Sequence, residues 1–97
     1  MDEKWYISAT FELVEEFKEE AMAALKDLIN ETRKEPGCIS YILTQDRSDP
    51  RKYMFLETWA NEASFRAHGN APHIQTFRKR IEGKRSAVAI TTLKQVS

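Results

Sequence analysis

The sequence holds a single cysteine, Cys38, so it can close no internal disulfide and assemble no multi-cysteine zinc site. A reducing cytoplasm is the natural setting for such a chain. Glycine and proline number three each, which excludes collagen-like and low-complexity classes. Charge of one sign is missing as well: 15 basic and 15 acidic side chains cancel. No field remains to hold a phosphate backbone, so no nucleic-acid partner is expected. No apolar run approaches the roughly 20 residues of a membrane-spanning helix, so no membrane role is expected. The N-terminus, Met1-Asp2-Glu3-Lys4, carries both signs and is unlike a signal peptide. A glycine-rich phosphate loop and the order of a serine-hydrolase triad are also absent. What is present is one domain spanning residues 1–97, 41% hydrophobic and 31% charged. A chain this short buries only about 60–65% of its unfolded surface, so pairing with a second copy would help it.

The pattern along the chain changes period several times. Trp5, Ile7, Ala9, Phe11 and Leu13 alternate with Tyr6, Ser8, Thr10 and Glu12, which predicts a strand. From Glu15 to Lys34 the apolar residues Phe17, Ala21, Ala24, Leu25 and Leu28 recur at helical spacing, with charge on the opposite side, until Pro36-Gly37 stops the helix. Cys38–Gln45 is the second strand, with Ile39, Tyr41 and Leu43 on one face. A polar turn at residues 46–51 leads to a third strand, Tyr53–Trp59, on which Tyr53, Phe55, Glu57 and Trp59 share a face. Asn61 caps a short helix that breaks at Gly69. Pro72 opens another, with Ile74, Phe77 and Ile81 as its apolar stripe. Gly83 closes it, and Ala87–Leu93 is the last strand.

The order βαββαβ predicts an α+β, ferredoxin-like fold: an antiparallel four-stranded sheet with helices on one face. Large apolar residues lie on both faces of the first three strands. The helices cover one face, and a second copy of the sheet is the natural cover for the other, so a homodimer through the open sheet face is expected.

Four side chains are the catalytic candidates: His73, Trp59, His68 and Glu57. Glu57 and Trp59 share a strand face, His68 follows Phe65 by one helical turn, and His73 borders the stripe that contains Phe77. A slot between sheet and helices would gather them with Tyr41, Phe55, Phe65 and Phe77 as substrate-binding residues. His73, at a helix start, is the expected neutral base. His68, near a helix end, is expected to favour the charged form. Cys38 reads as a small buried apolar residue. Arg78-Lys79-Arg80 reads as a solvated helix face. The two histidines, five residues apart, give no regular metal-ligand spacing, so no metal is expected.

Glu35-Pro36-Gly37-Cys38, the Asp49-Pro50 turn, Glu57-Thr58-Trp59, Ala67-His68 and Ala71-Pro72-His73-Ile74 together resemble the antibiotic-biosynthesis monooxygenase (ABM) domain family, quinol monooxygenases among them. The resemblance implies a dimeric α+β barrel and oxygenation of a small phenolic or quinol-type substrate by dioxygen without cofactors. Ser8 and Thr10 stand as the inward candidates near the position where the haem-degrading branch carries an Asn, which argues against that branch. Two other functions fit the same fold: a non-catalytic small-ligand-binding dimer, and a cofactor-free isomerase of a small carbonyl metabolite.

Overall fold

In a computed structural model that describes residues 3–97, the first alternating run forms β1 (Trp5–Glu12). Met1 and Asp2, half of the charged N-terminal tetrapeptide, lie outside the described residues. Ile7, Ala9 and Phe11 of β1 are buried, and Tyr6, Ser8 and Thr10 turn to the other face, so Ser8 and Thr10 are not inward. β1 pairs antiparallel with β3 (Lys52–Trp59) on one side and β4 (Ala89–Leu93) on the other. β2 (Cys38–Gln45) pairs with β3, giving the order β2-β3-β1-β4 of the expected ferredoxin-like sheet. The β2–β3 turn is shaped by Asp46, whose Oδ1 accepts from the backbone N–H of Ser48 at 2.7 Å and of Asp49 at 2.9 Å.

The long helix starts later and ends sooner than its pattern implies. Glu15–Phe17 forms a single 3-10 turn, and α1 runs over Lys18–Thr32. Leu13 and Val14 are still held by backbone bonds to Arg51 O (3.0 Å) and Lys84 O (2.9 Å), and no side chain caps either start. At the other end Pro36 biases Glu35 away from helical geometry. Arg33 folds back there and donates from Nε and a terminal nitrogen to Tyr41 O, at 3.2 and 2.9 Å, clipping the helix end to β2. Ala21, Ala24, Leu25, Leu28 and Thr32 form the buried stripe of α1.

The shorter helices follow their sequence signals. Asn61 Oδ1 accepts from Ser64 N at 2.9 Å and caps α2 (Glu62–Gly69). Pro72 is the first residue of α3 (Pro72–Ile81). Gly83 then takes φ +75°, a turn that other residues rarely adopt.

Two strand assignments are corrected. β2 carries an irregularity in register between Cys38 and Ser40, so Cys38, opposite Trp59, packs on the core while Ile39 is exposed rather than sharing Tyr41's face. β4 begins at Ala89, not Ala87. Ser86 is tied to Glu12 by two bonds, its N–H donating to Glu12 O at 2.9 Å and its Oγ accepting from Glu12 N–H at 2.8 Å, and the regular ladder resumes only at Ala89 opposite Thr10.

Gly37 sits where β3 gives way to α2, its carbonyl accepting from Ala60 N at 2.9 Å. A Cβ added there would overlap the Ser64 side chain in the first turn of α2. Gly37→Ala is therefore expected to destabilise the fold by about 1–3 kcal/mol. A thermal melt should show a drop of about 4–8 °C for each kcal/mol. An unchanged melting temperature would contradict this packing.

Candidate active site

Between the sheet and the helices lies a cavity of about 410 Å³. Tyr41, Phe55, Glu57, Phe65, His68 and Phe77 all line it, together with Arg78 and Arg85. A depression of about 520 Å³ at the far end of the β2–β3 hairpin, near Asp46 and Lys52, contains none of the candidate residues.

Alternation along β3 turns Phe55, Glu57 and Trp59 to the helical side, and the register sets Tyr41 opposite Glu57. Glu57 is buried, and the indole Nε1–H of Trp59 donates to its Oε1 at 2.9 Å. Burial raises the Glu57 carboxyl to about 7; the Trp59 hydrogen bond opposes that rise and the charge of Glu35 adds to it. A carboxyl at that value exchanges its proton near neutrality, which suits general acid–base work. The Tyr41 hydroxyl is pushed well above the usual phenol range, first by burial and then by Glu57, so Tyr41 keeps its proton.

His68, near the end of α2, rests against Trp59 and Tyr41 with ring centroids 4.7 and 5.4 Å away. Its Nδ1 lies 2.7 Å from Glu35 Oε2, and His73 Nε2 lies 2.7 Å from the same oxygen. A carboxylate oxygen only accepts, so both rings are assigned as donors to it. That tautomer leaves Nε2 of His68 as an acceptor. Burial lowers the His68 pKa, against the bond to Glu35 and its charge. His68 is thus held toward the neutral form, contrary to the charged form expected at a helix end. Burial outweighs the helix dipole here.

Two of the four catalytic candidates therefore line the cavity, and two stand behind it. Trp59 is fully buried, with its N–H committed to Glu57. His73 lines a separate groove between α1 and α3, beside Asp27, Glu31 and Arg80. Glu35 connects His68 on the cavity to His73 on that groove. Its role was not visible in the sequence beyond its place in a motif. Arg78 is exposed, as expected of a solvated helix face, and it also borders the cavity. It falls four residues after buried Ile74, on the line of the apolar stripe, and that spacing was the available signal. Arg85 gave no such signal.

Glu35, His68 and His73 offer ligand atoms within 4.8 Å of one another, so the trio could also hold a divalent cation. Both ring N–H protons would have to leave for that to happen. Cys38 is half-buried, and burial followed by the Glu35 charge raises its thiol pKa, which disfavours the nucleophilic thiolate. Among the described residues no helix is long and apolar enough to cross a membrane.

Comparison with known proteins adds the family. Residues 5–80 match the model of the antibiotic biosynthesis monooxygenase family. The crystal structure of PA3566 from Pseudomonas aeruginosa superposes with a TM-score of 0.91 at 28% identity, covering 100% of this chain and 98% of that one. The uncharacterized Synechocystis protein sll1783 is 30% identical over 76 residues, 78% of this chain, and the chain spans about half (52%) of its length. Bacillus subtilis YcnE, whose name proposes a monooxygenase, is 27% identical over 73% of this chain and 75% of its own length. With most of the chain matched, and with the cavity built from the motif positions Glu57 and His68, the chain belongs to the antibiotic biosynthesis monooxygenase family.

Proposed function

We propose that this protein is a cofactor-independent monooxygenase acting on a phenolic or quinol-type small molecule. The observation that carries the reading is a buried carboxyl, Glu57, titrating near neutrality in an aromatic-lined cavity of a monooxygenase-family fold. A phenol gives electrons to dioxygen readily only as its phenolate, so the first demand is a base. A phenol near pKa 10 against a carboxyl near 7 leaves about 3 units, or about 4 kcal/mol. One aimed donor to the oxyanion can supply roughly 3–4 kcal/mol.

In the proposed sequence, Glu57 takes the phenolic proton. The phenolate passes one electron to dioxygen, and the radical pair closes a bond between oxygen and a ring carbon bearing hydrogen. The peroxide is protonated. Loss of the ring C–H proton then breaks the O–O bond, leaving a new ring carbonyl and a water molecule. The substrate supplies all four electrons, so no other reductant is needed. Glu57 and His68 are the proton-handling groups. Trp59 positions Glu57, and Glu35 with His73 positions His68. His73 was the base expected from the sequence; its place on the outer groove makes it a positioning residue here.

The test is oxygen uptake by chelator-treated protein with a panel of hydroquinones and anthrone. Uptake above autoxidation, lost in Glu57→Gln/His68→Ala, is expected. Uptake restored only by added metal would overturn the cofactor-free reading. The pair of proton-transfer groups also favours a second function, isomerisation of a small carbonyl compound. Turnover without oxygen would select it.

The proposed assembly is a homodimer through the open sheet face. Ile42 (47% exposed), Met54 (37%), Leu56 (44%) and Leu93 (51%) lie on described strands without cover. Leu56→Glu is expected to give a folded monomer by light scattering. A variant that remains dimeric would place the interface elsewhere.

A further inference from the structure

Arg78 and Arg85 line the cavity but take no part in the proton chemistry above. Arg85 is positioned by the backbone: it bridges to Leu13, and its neighbours Lys84 and Ser86 bond to Val14 and Glu12. Among the described residues, Arg51, Arg66 and Arg80 each hold a carboxylate, at 3.3, 2.8 and 2.6 Å. Arg78 and Arg85 form no ion pair there. Arg78 reaches only Gly69 O, at 3.4 Å, and Arg85 only Ser86 O, at 2.9 Å. The Nε–H of Arg85 is buried and finds no acceptor among the described residues. Arg78 is exposed and Arg85 half-buried, whereas Glu57 and Tyr41 are buried. The two cations thus occupy the outer side of the lining, and the proton-handling carboxyl the inner side. Glu57 is the acidic residue of that lining.

We infer that the substrate of this cavity is an aromatic carboxylate, its carboxylate held by Arg78 and Arg85 and its ring against Phe55, Phe65 and Phe77. The inference deepens the proposed function and rests on the cavity being the substrate site. Guanidinium suits the task because its planar donors match a carboxylate in pairs. A neutral ligand would leave both cations without a counter-charge. An anion completes them, and its ring length then sets which ring carbon meets Glu57.

The test compares 2-naphthoate with its uncharged counterpart 2-naphthamide by calorimetry at pH 7, on the intact protein. The naphthoate is expected to bind about tenfold or more tightly than the amide. Arg78→Gln/Arg85→Gln should bring the two affinities to about the same value, with the larger loss on the naphthoate. Arg78→Lys/Arg85→Lys, which keeps the charge, should retain part of the preference and lose it as salt is raised. If the Gln variant is misfolded by circular dichroism, the Lys variant and the salt series carry the test. Equal affinities in the wild type would overturn the anion assignment while leaving the cavity a binding site. Binding of neither ligand would overturn both. A carboxylate preference that survives in the double Gln variant would also overturn it, placing the anion elsewhere.

Discussion

Glu57→Gln is expected to lower turnover by about 10²–10⁴-fold, the usual contribution of a positioned acid or base, while making the protein more stable above neutral pH. The amide keeps an oxygen to accept from Trp59 Nε1, so the geometry of the pair survives. What it loses is the ability to take a proton. The stability effect follows from linkage. The native carboxyl titrates at about 7, against 4.5 for the free side chain, so the native state holds the proton more tightly. That contribution is whole below pH 4.5 and is lost as pH rises through about 7, a loss of about 3 kcal/mol. The glutamine cannot ionise and escapes it. The stability of the variant relative to wild type should therefore climb between pH 4.5 and 7 and level off above. His68 works in the opposite sense: its lowered pKa gives stability above its unfolded value of 6.5 that is lost as pH falls. It is present in both proteins and cancels in the difference. Denaturant unfolding of both at pH 5 and pH 8 reads the effect. A stability difference equal at the two pH values would contradict the buried, shifted carboxyl.

The second large effect belongs to Glu35→Gln. Glu35 holds both His68 and His73 on one oxygen, and hydrogen bonds to a charged group each contribute about 1.5–3 kcal/mol. A glutamine oxygen accepts more weakly, so His68 loosens and turnover should fall about 10–100-fold with little change in KM. A merely structural role would stop there. Glu35 also adds to the raised pKa of Glu57 by its charge. If ionised Glu57 is the base, kcat/KM rises with pH through a midpoint near 7, and removing the Glu35 charge should move that midpoint to lower pH. A profile that drops in height without moving would leave Glu35 a structural clamp only.

Much of the fold was legible because its signals are local. The alternation in β1 and β3, the Asn61 cap and Pro72 at a helix start each place an element with nothing but neighbouring residues. The missed features depend on distant partners. The irregularity that turns Ile39 out and Cys38 in occurs where the backbone of Gly37 is anchored to Ala60. The delayed start of α1 reflects bonds from Leu13 and Val14 to Arg51 and Lys84, far along the chain.

The site divides in the same way. Glu57, Trp59 and Tyr41 were readable because strand alternation fixes their side. His68 was readable by its helical spacing from Phe65. The direction of His73 depends on how α3 rolls against α1, which no spacing reveals, and the roll sends it to Glu35 and the outer groove. Arg85 enters the cavity only because the chain after Gly83 pairs back onto Leu13.

The most direct test of the central claim, that the cavity residues drive insertion of one oxygen atom from dioxygen, is an isotope experiment. Chelator-treated protein would be given anthrone under ¹⁸O₂, and the product weighed by mass spectrometry for wild type and Glu57→Gln. The account predicts one labelled atom in the new carbonyl, formed faster than in buffer and at the buffer rate in the variant. An unlabelled product, or a labelled one formed as fast with Glu57→Gln as with wild type, would contradict it.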